Sequence, residues 1–280
     1  MAVGGSKVNP ETIGEMYDQG SEMLGALMGG SLHYGYWEGP DDDASMEEAS
    51  ERMTDLMVAK LRAGAGRRVL DVGCGTGRPA LRLARATGAE VVGVTISHEQ
   101  VRLATLAAEA EGLGDRVTFR YGDAVSLPFD PESFDAAWLF ESLIHMADPQ
   151  RVLKCVAATL RPGGRLAIAN IVQNAPVPEE RRAGLEDYFR MTGIVSFAPL
   201  AEYPRLIEDS GLVVEEVVDV SDHAVRGTVR NVSERLGQVA IPDVPESAAA
   251  SEVLKNARAV ADAFASTPGI GYAIVVASKP

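Results

Sequence analysis

The chain has 280 residues, 46% apolar and 24% charged, enough to bury a sizeable core in one large domain or two modest ones and too apolar for wholesale disorder. Its 26 basic residues stand against 40 acidic ones, a net charge of −14 that opposes nucleic acids and anionic membranes as partners. Two cysteines, Cys74 and Cys155, are too few for a disulfide framework or a four-ligand zinc site. With neither a secretory pattern nor a run of ~18 apolar residues, a cytoplasmic, metal-free protein is expected.

In chain order, Pro10 to Met28 carries Ile13, Met16, Met23, Leu24 and Leu27 at helical spacing. Gly29-Gly30 stops that helix, an aromatic cluster from Leu32 to Trp37 follows, and a second amphipathic helix runs through Met53, Leu56, Met57 and Leu61. The exposed apolar face of the first helix predicts a homo-oligomer that covers it. From Arg67 short apolar strands alternate with helices. The strands are Arg68–Val72, Glu90–Thr95, Val117–Tyr121, Phe134–Phe140 and Arg165–Val172, and the helices Pro79–Thr87, His98–Glu111 and Pro149–Leu160. Asp148-Pro149 reads as a capped helix start, and Arg161-Pro162-Gly163-Gly164 as a turn. After Val172 come a proline-punctuated insert, a strand at Leu212–Val220, and a helical region from Ala224 to Ala265 broken at Ile241–Pro245. A last strand at Gly271–Ala277 closes the pattern. The expected fold is α/β, a doubly wound, mostly parallel sheet with a helical N-terminal segment and a helical lid. Residues 1–65 form the segment, 66–172 the sheet core, and 173–280 the lid plus two last strands paired antiparallel at one edge.

The first strand runs into Val69-Leu70-Asp71-Val72-Gly73-Cys74-Gly75-Thr76-Gly77-Arg78. Glycines at 73, 75 and 77 let the backbone turn sharply and approach a ligand, and the following helix offers free N–H groups. A dinucleotide fold would want glycine where Arg78 stands. The string resembles motif I of class I methyltransferases that use S-adenosyl-L-methionine (AdoMet). The resemblance implies AdoMet as cofactor, S-adenosyl-L-homocysteine (AdoHcy) as product, and contacts from Asp71 and the three glycines. The second strand's end, Gly93 to Gln100, resembles the variant of cyclopropane synthases and natural-product methyltransferases, in which Thr95, Ile96 and Gln100 would hold the ribose. Ser97 and Gln100 also match a capping box by spacing alone. After the third strand, Asp123 and Ala124 would meet the adenine, although a loop aspartate also suits a turn. Leu139, near the end of the fourth strand, joins the implied cofactor set. Tyr17 and the His33–Trp37 segment would lie over the cofactor as a flap, Tyr17 and His33 touching it and Trp37 packing. Aromatic faces attract cations by roughly 0.5–2 kcal/mol.

Across nearly its full length the chain is similar to bacterial secondary-metabolite methyltransferases. These include sugar O-methyltransferases of indolocarbazole pathways and a C-methyltransferase of teleocidin-type terpenoid indole alkaloids. The O-methyltransferase string after the fourth strand is Glu-Ser-Leu-His-His-Met, whereas here Phe140-Glu141-Ser142-Leu143-Ile144-His145-Met146 stands, with Asn170 in place of a fifth-strand aspartate. A hydroxyl must lose its proton and gains from a general base; an alkene carbon does not. Ile144 and Asn170 therefore point to C-methylation of an alkene or prenyl group on a small apolar natural product. The alternative is O-methylation of a sugar or hydroxyl with His145 as base; Glu141 would hold an amine or stabilise positive charge. Phe189, Met191, Phe197 and Tyr203 are candidate walls for the acceptor, while His98 and His223 read as surface histidines. A nicotinamide oxidoreductase and a non-catalytic AdoMet-binding protein are the readings from other classes.

Overall fold

The architecture is a computed structural model describing residues 10–236 and 248–280. Four apolar runs form the parallel half of a sheet: β1 (Arg68–Val72), β2 (Glu90–Thr95), β3 (Val117–Tyr121) and β4 (Phe134–Phe140). β1 is buried from Val69 through Val72, as a strand covered on both faces must be. It pairs parallel with β2 and β4, with Val69 opposite Val91 and Ala136. β5 (Leu160–Gln173) adds on β4, and the order across the sheet is β3-β2-β1-β4-β5-β7-β6, with β6 at Val213–Asp219 and β7 at Ile270–Ser278. β7 runs antiparallel to both β5 and β6. The expected Arg161–Gly164 turn is instead the irregular start of β5, where the register with β4 shifts between Phe134 and Ala136.

Strand alternation splits the core in two. Val69 and Trp138 face α2 (Met46–Leu61), α3 (Arg78–Thr87) and α4 (His98–Ala110), whereas Leu70 and Leu139 face α5 (Pro149–Thr159) and α7 (Tyr203–Glu208). Asp148 caps α5 by accepting from Arg151 N, with Pro149 in the first turn. Ser45 and Glu48 close a reciprocal capping box on α2.

The N-terminal helix α1 (Pro10–Leu27) buries Ile13 and Leu27 within its own chain and packs on α4, while Met16 and Leu24 of the same face are half-buried. The side chain of Met23 lies outside the described residues. Residues 34–37 are fixed rather than a free flap. Gly35 N donates to Thr228 Oγ1 at 3.1 Å, Tyr36 N to Ala49 O at 2.8 Å, and Trp37 N to His223 O at 2.8 Å. His223, expected at the surface, donates from Nδ1 to Trp37 O at 2.8 Å and stacks on Tyr36. Thr228 and His223 belong to α8 (Ser221–Leu236), which packs with α9 (Ala248–Ala265); α9 in turn touches α6 (Arg182–Thr192). The break at Ile241–Pro245 lies outside the described residues. No described helix is long and apolar enough to cross a membrane.

Candidate active site

A cavity of about 340 Å³ opens at the C-terminal ends of β1, β2 and β4, where open α/β sheets bind ligands. The turn after β1 forms its floor. Gly73, Gly75 and Gly77 adopt φ of 80°, 53° and 81°, a region L-residues resist. A Cβ on Gly73 would stand 2.3 Å from Ser142 Cβ, and one on Gly77 2.5 Å from Phe119 Cζ. One on Gly75 would meet only Leu32 Cδ1 at 3.4 Å. Gly73 and Gly75 line the cavity, whereas Gly77 is the N-cap of α3 and packs it onto β3 and α4. Arg78 reaches away from the cavity and donates from Nη1 to Gly29 O at 3.1 Å.

The β2–α4 junction brings Thr95, Ile96 and Gln100 to the wall. Ser97 accepts from Gln100 N at 3.0 Å, so half of the capping box forms. The Gln100 side chain turns elsewhere: its Oε1 accepts from Thr95 Oγ1 at 2.6 Å and its Nε2 donates to Ser21 Oγ at 3.2 Å. Asp18 of α1 completes the clasp by accepting from Ser97 Oγ and from Glu99 N at 3.1 Å. Asp123 and Ala124 also line the cavity; Asp123 caps a 3₁₀ turn through Val125 N at 3.1 Å.

The end of β4 carries the polar groups suited to chemistry. His145 ends a 3₁₀ turn and is half-buried; desolvation lowers its pKa and keeps the ring neutral. Its Nδ1 lies 2.8 Å from Gly193 O, an atom that only accepts, so Nδ1 carries the proton and Nε2 a lone pair. Tyr17 Oη donates to Nε2 at 3.0 Å. Glu141, 8% exposed, accepts at Oε1 from Tyr34 N and from Tyr272 Oη at 2.7 Å. Burial raises its pKa to about 8, and the buried Asp71 carboxyl is pushed to about 7 for the same reason. His33 reaches the wall stacked on Phe140, donating from Nδ1 to Tyr34 O at 2.9 Å; burial lowers its pKa to about 4.

Two members of the expected cofactor set, Gly77 and Leu139, stand outside this wall. Leu139 points to the opposite face of β4 from Phe140, into the α5 side of the core. The expected acceptor wall is not assembled either: Ile144, Asn170, Phe189, Phe197 and Tyr203 are buried away from the cavity. Phe189 packs on Phe197, and Asn170 Nδ2 donates to Tyr203 Oη at 3.0 Å. Met191 is 42% exposed. The sequence reading missed Ile13, Leu32, Phe140 and Arg151, which line the cavity. Ile13 belongs to the helical apolar stripe and Arg151 follows a cap signal, so each carries a local explanation that hid its place in the wall.

The order of the sheet, its antiparallel β7 and the glycine turn below buried carboxyls define a Rossmann-like nucleotide-binding fold. Residues 70–168 match the model of a methyltransferase domain. Methyltransferase GfsG of Streptomyces halstedii is 40% identical over 268 residues, covering 96% of this chain and 94% of that protein. The 27-O-demethylrifamycin SV methyltransferase of Amycolatopsis mediterranei is 38% identical, covering 98% and 99%. The crystal structure of the [4+2]-cyclase SpnF superposes with a TM-score of 0.82 at 33% identity over 99% of each chain. The chain belongs to the class I AdoMet-dependent methyltransferases, within the group serving secondary metabolism. The site fits that cofactor: Gly75 leaves a cradle that a side chain would fill, and two buried carboxyls, Asp71 and Glu141, line the cavity and would suit a ligand of positive charge.

Proposed function

We propose that the protein methylates a hydroxyl oxygen of a hydroxylated natural product, with His145 as general base. The observation that carries this reading is the His145 pair of contacts on the cavity wall: Gly193 O fixes the proton on Nδ1, and Nε2 is left an acceptor, bound to Tyr17 Oη. A general base needs that tautomer and a pKa near or below neutrality. Ile144 and Asn170, the amino acids expected to favour carbon, are buried and do not line the cavity that holds His145. The relative named for 27-O-demethylrifamycin SV has an oxygen acceptor by that name, at 38% identity.

In this reading Gly73 and Gly75 admit AdoMet against the backbone, Thr95 and Ile96 border its ribose, and Asp123 and Ala124 its adenine. Gln100 acts through Thr95 rather than alone, since its amide is already bound to Thr95 and Ser21. Bound AdoMet supplies an electrophilic methyl on a sulfonium. Tyr17 caps the Nε2 lone pair while no acceptor is present and yields it when a hydroxyl arrives. The hydroxyl proton would pass to Nε2 as its oxygen bonds the methyl and the S–CH3 bond breaks to leave neutral AdoHcy, and the imidazolium would be held by Gly193 O through Nδ1–H. The α1 helix, which places Ile13 and Tyr17 on the wall, helps keep water from that step.

Incubation with methyl-labelled AdoMet and a panel of hydroxylated polyketides, followed by product NMR, tests the reading. An O-methyl signal is expected, with His145→Ala slower by ~10²–10⁴-fold. A methyl on carbon, or a His145→Ala rate close to that of the parent, would refute it.

A further inference from the structure

One buried group has no part in the proton transfer above. Glu141 closes β4 with φ of 50°, a left-handed backbone that a non-glycine residue holds only when its surroundings insist. Its N–H donates to Ala169 O at 2.8 Å, and Tyr34 N and Tyr272 Oη both converge on Oε1. The second oxygen accepts from no described residue and is not among the fully enclosed polar atoms, and the residue lines the cavity. No ion pair among the described residues includes Glu141.

The groups facing it supply no positive charge. Tyr17 approaches from α1, and His33 and Tyr34 from the segment before α2, with His33 held neutral by burial. From β1 and its turn, Asp71 and Cys74 share the cavity; His145 ends the 3₁₀ turn. Tyr272 comes from β7, and Tyr188 of α6 stands behind Tyr34 at 2.9 Å between hydroxyls. Arg78, the nearest cation to His33, is engaged by Gly29 O. A carboxyl built into a ligand cavity without a protein cation awaits one from the ligand.

We propose that Glu141 reads the positive charge of the cofactor and so separates AdoMet, which carries a sulfonium, from the neutral thioether of the product AdoHcy. The inference rests on the AdoMet cofactor and is independent of whether the acceptor atom is oxygen. Without ligand, burial holds Glu141 protonated up to about pH 8. A cationic ligand favours the carboxylate and expels its proton, so AdoMet affinity rises with pH until about 8 and then levels, whereas AdoHcy affinity stays flat there. Product leaves more readily because the carboxyl regains its proton once the charge is gone.

Titration calorimetry in buffers of different ionisation enthalpy, with AdoMet, AdoHcy and sinefungin, tests this. Sinefungin bears an ammonium in place of the sulfonium and separates the effect of charge from that of the methyl. Near pH 7 AdoMet and sinefungin should each release up to about one proton more than AdoHcy. In Glu141→Gln that difference should vanish and the preference for AdoMet over AdoHcy fall about tenfold. Tyr272→Phe removes a donor that stabilises the carboxylate, so the pH at which the preference levels should move upward. A folded Glu141→Gln protein with an unchanged preference and proton difference would overturn the proposal, as would sinefungin behaving like AdoHcy or an unmoved profile in Tyr272→Phe. Failure of the parent protein to bind any of the three would instead remove the cofactor reading itself.

Discussion

Placing an alanine at Gly73 and, separately, at Gly75 should separate a fold defect from a binding defect two residues apart. Both positions have positive φ, so each alanine costs about 1–2 kcal/mol of backbone strain. At Gly75 that is nearly all, because the new methyl meets only Leu32 Cδ1 at 3.4 Å. The expected loss of melting temperature is about 2–8 °C. At Gly73 the methyl would lie 2.3 Å from Ser142 Cβ. Ser142 cannot swing aside cheaply, since its Oγ donates to Val72 O. Overpacking of that kind adds about 1–3 kcal/mol, so Gly73→Ala should melt about 4–20 °C below the parent. The cavity effect runs the other way. Gly75→Val puts a β-branched side chain into the cradle and should abolish AdoMet binding while the far-UV dichroism stays near that of the parent. Differential scanning fluorimetry and calorimetry on the variants give both readings. Unchanged AdoMet affinity in a folded Gly75→Val protein, or a Gly73→Ala protein as stable as the parent, would refute the reasoning.

Stability of the ligand-free protein should fall as pH climbs from about 4 to 8, with His33 opposing that trend below about 6.5. The unfolded chain titrates Asp and Glu near 4 and His near 6.5. Glu141 and Asp71 are raised to about 8 and about 7 in the fold, so their contribution is lost as pH climbs from about 4 to 8, and Glu141→Gln should flatten the fall of the melting temperature over that range. His33 is lowered to about 4, so acidification below about 6.5 protonates the unfolded chain first and destabilises the fold. Tyr203→Phe leaves Asn170 Nδ2 buried without its partner and should cost about 1–3 kcal/mol in urea unfolding, with KM for the acceptor unchanged. His223→Ala frees Trp37 O and should speed amide exchange across residues 34–37 before it alters the sheet.

β1, β2 and β4 were legible to the residue because buried parallel strands leave apolar runs between turns, and the edge strand β3 because Val117 and Phe119 alternate with exposed residues. The start of β5 was not: Arg161-Pro162-Gly163-Gly164 has turn chemistry, and only its pairing beside Phe134 makes it strand. At the site, the glycine turn and the residues ending β2, β3 and β4 follow from local order, since each strand's C-terminal end faces the cavity. The acceptor wall failed for a physical reason. Phe189, Phe197 and Ile144 are apolar whether they line a cavity or fill a core, and residue type does not distinguish the two. His145 was found, yet the carbonyl of Gly193 that sets its tautomer is 48 residues away and leaves no mark in composition. Asp18 and Ser21 escaped likewise: they serve a helix they do not belong to.

The position of β7 has a bearing on how the chain acquires its shape. In sequence it follows every other strand, but in space it lies between β5 and β6. While a ribosome delivers α6, α7, β6, α8 and α9, the outer edge of β5 stays unpaired, and β6 has no sheet to join. That edge is a row of open N–H and C=O groups on an apolar strand, the kind of surface through which nascent chains stick to one another. Folding of the outer third of the sheet therefore waits until β7 is delivered, and the pairing it awaits links residues far apart in the chain, which is slow. Expression yield should respond more sharply to a proline placed in β7 than to one in the edge strand β6, although the two strands differ little in length.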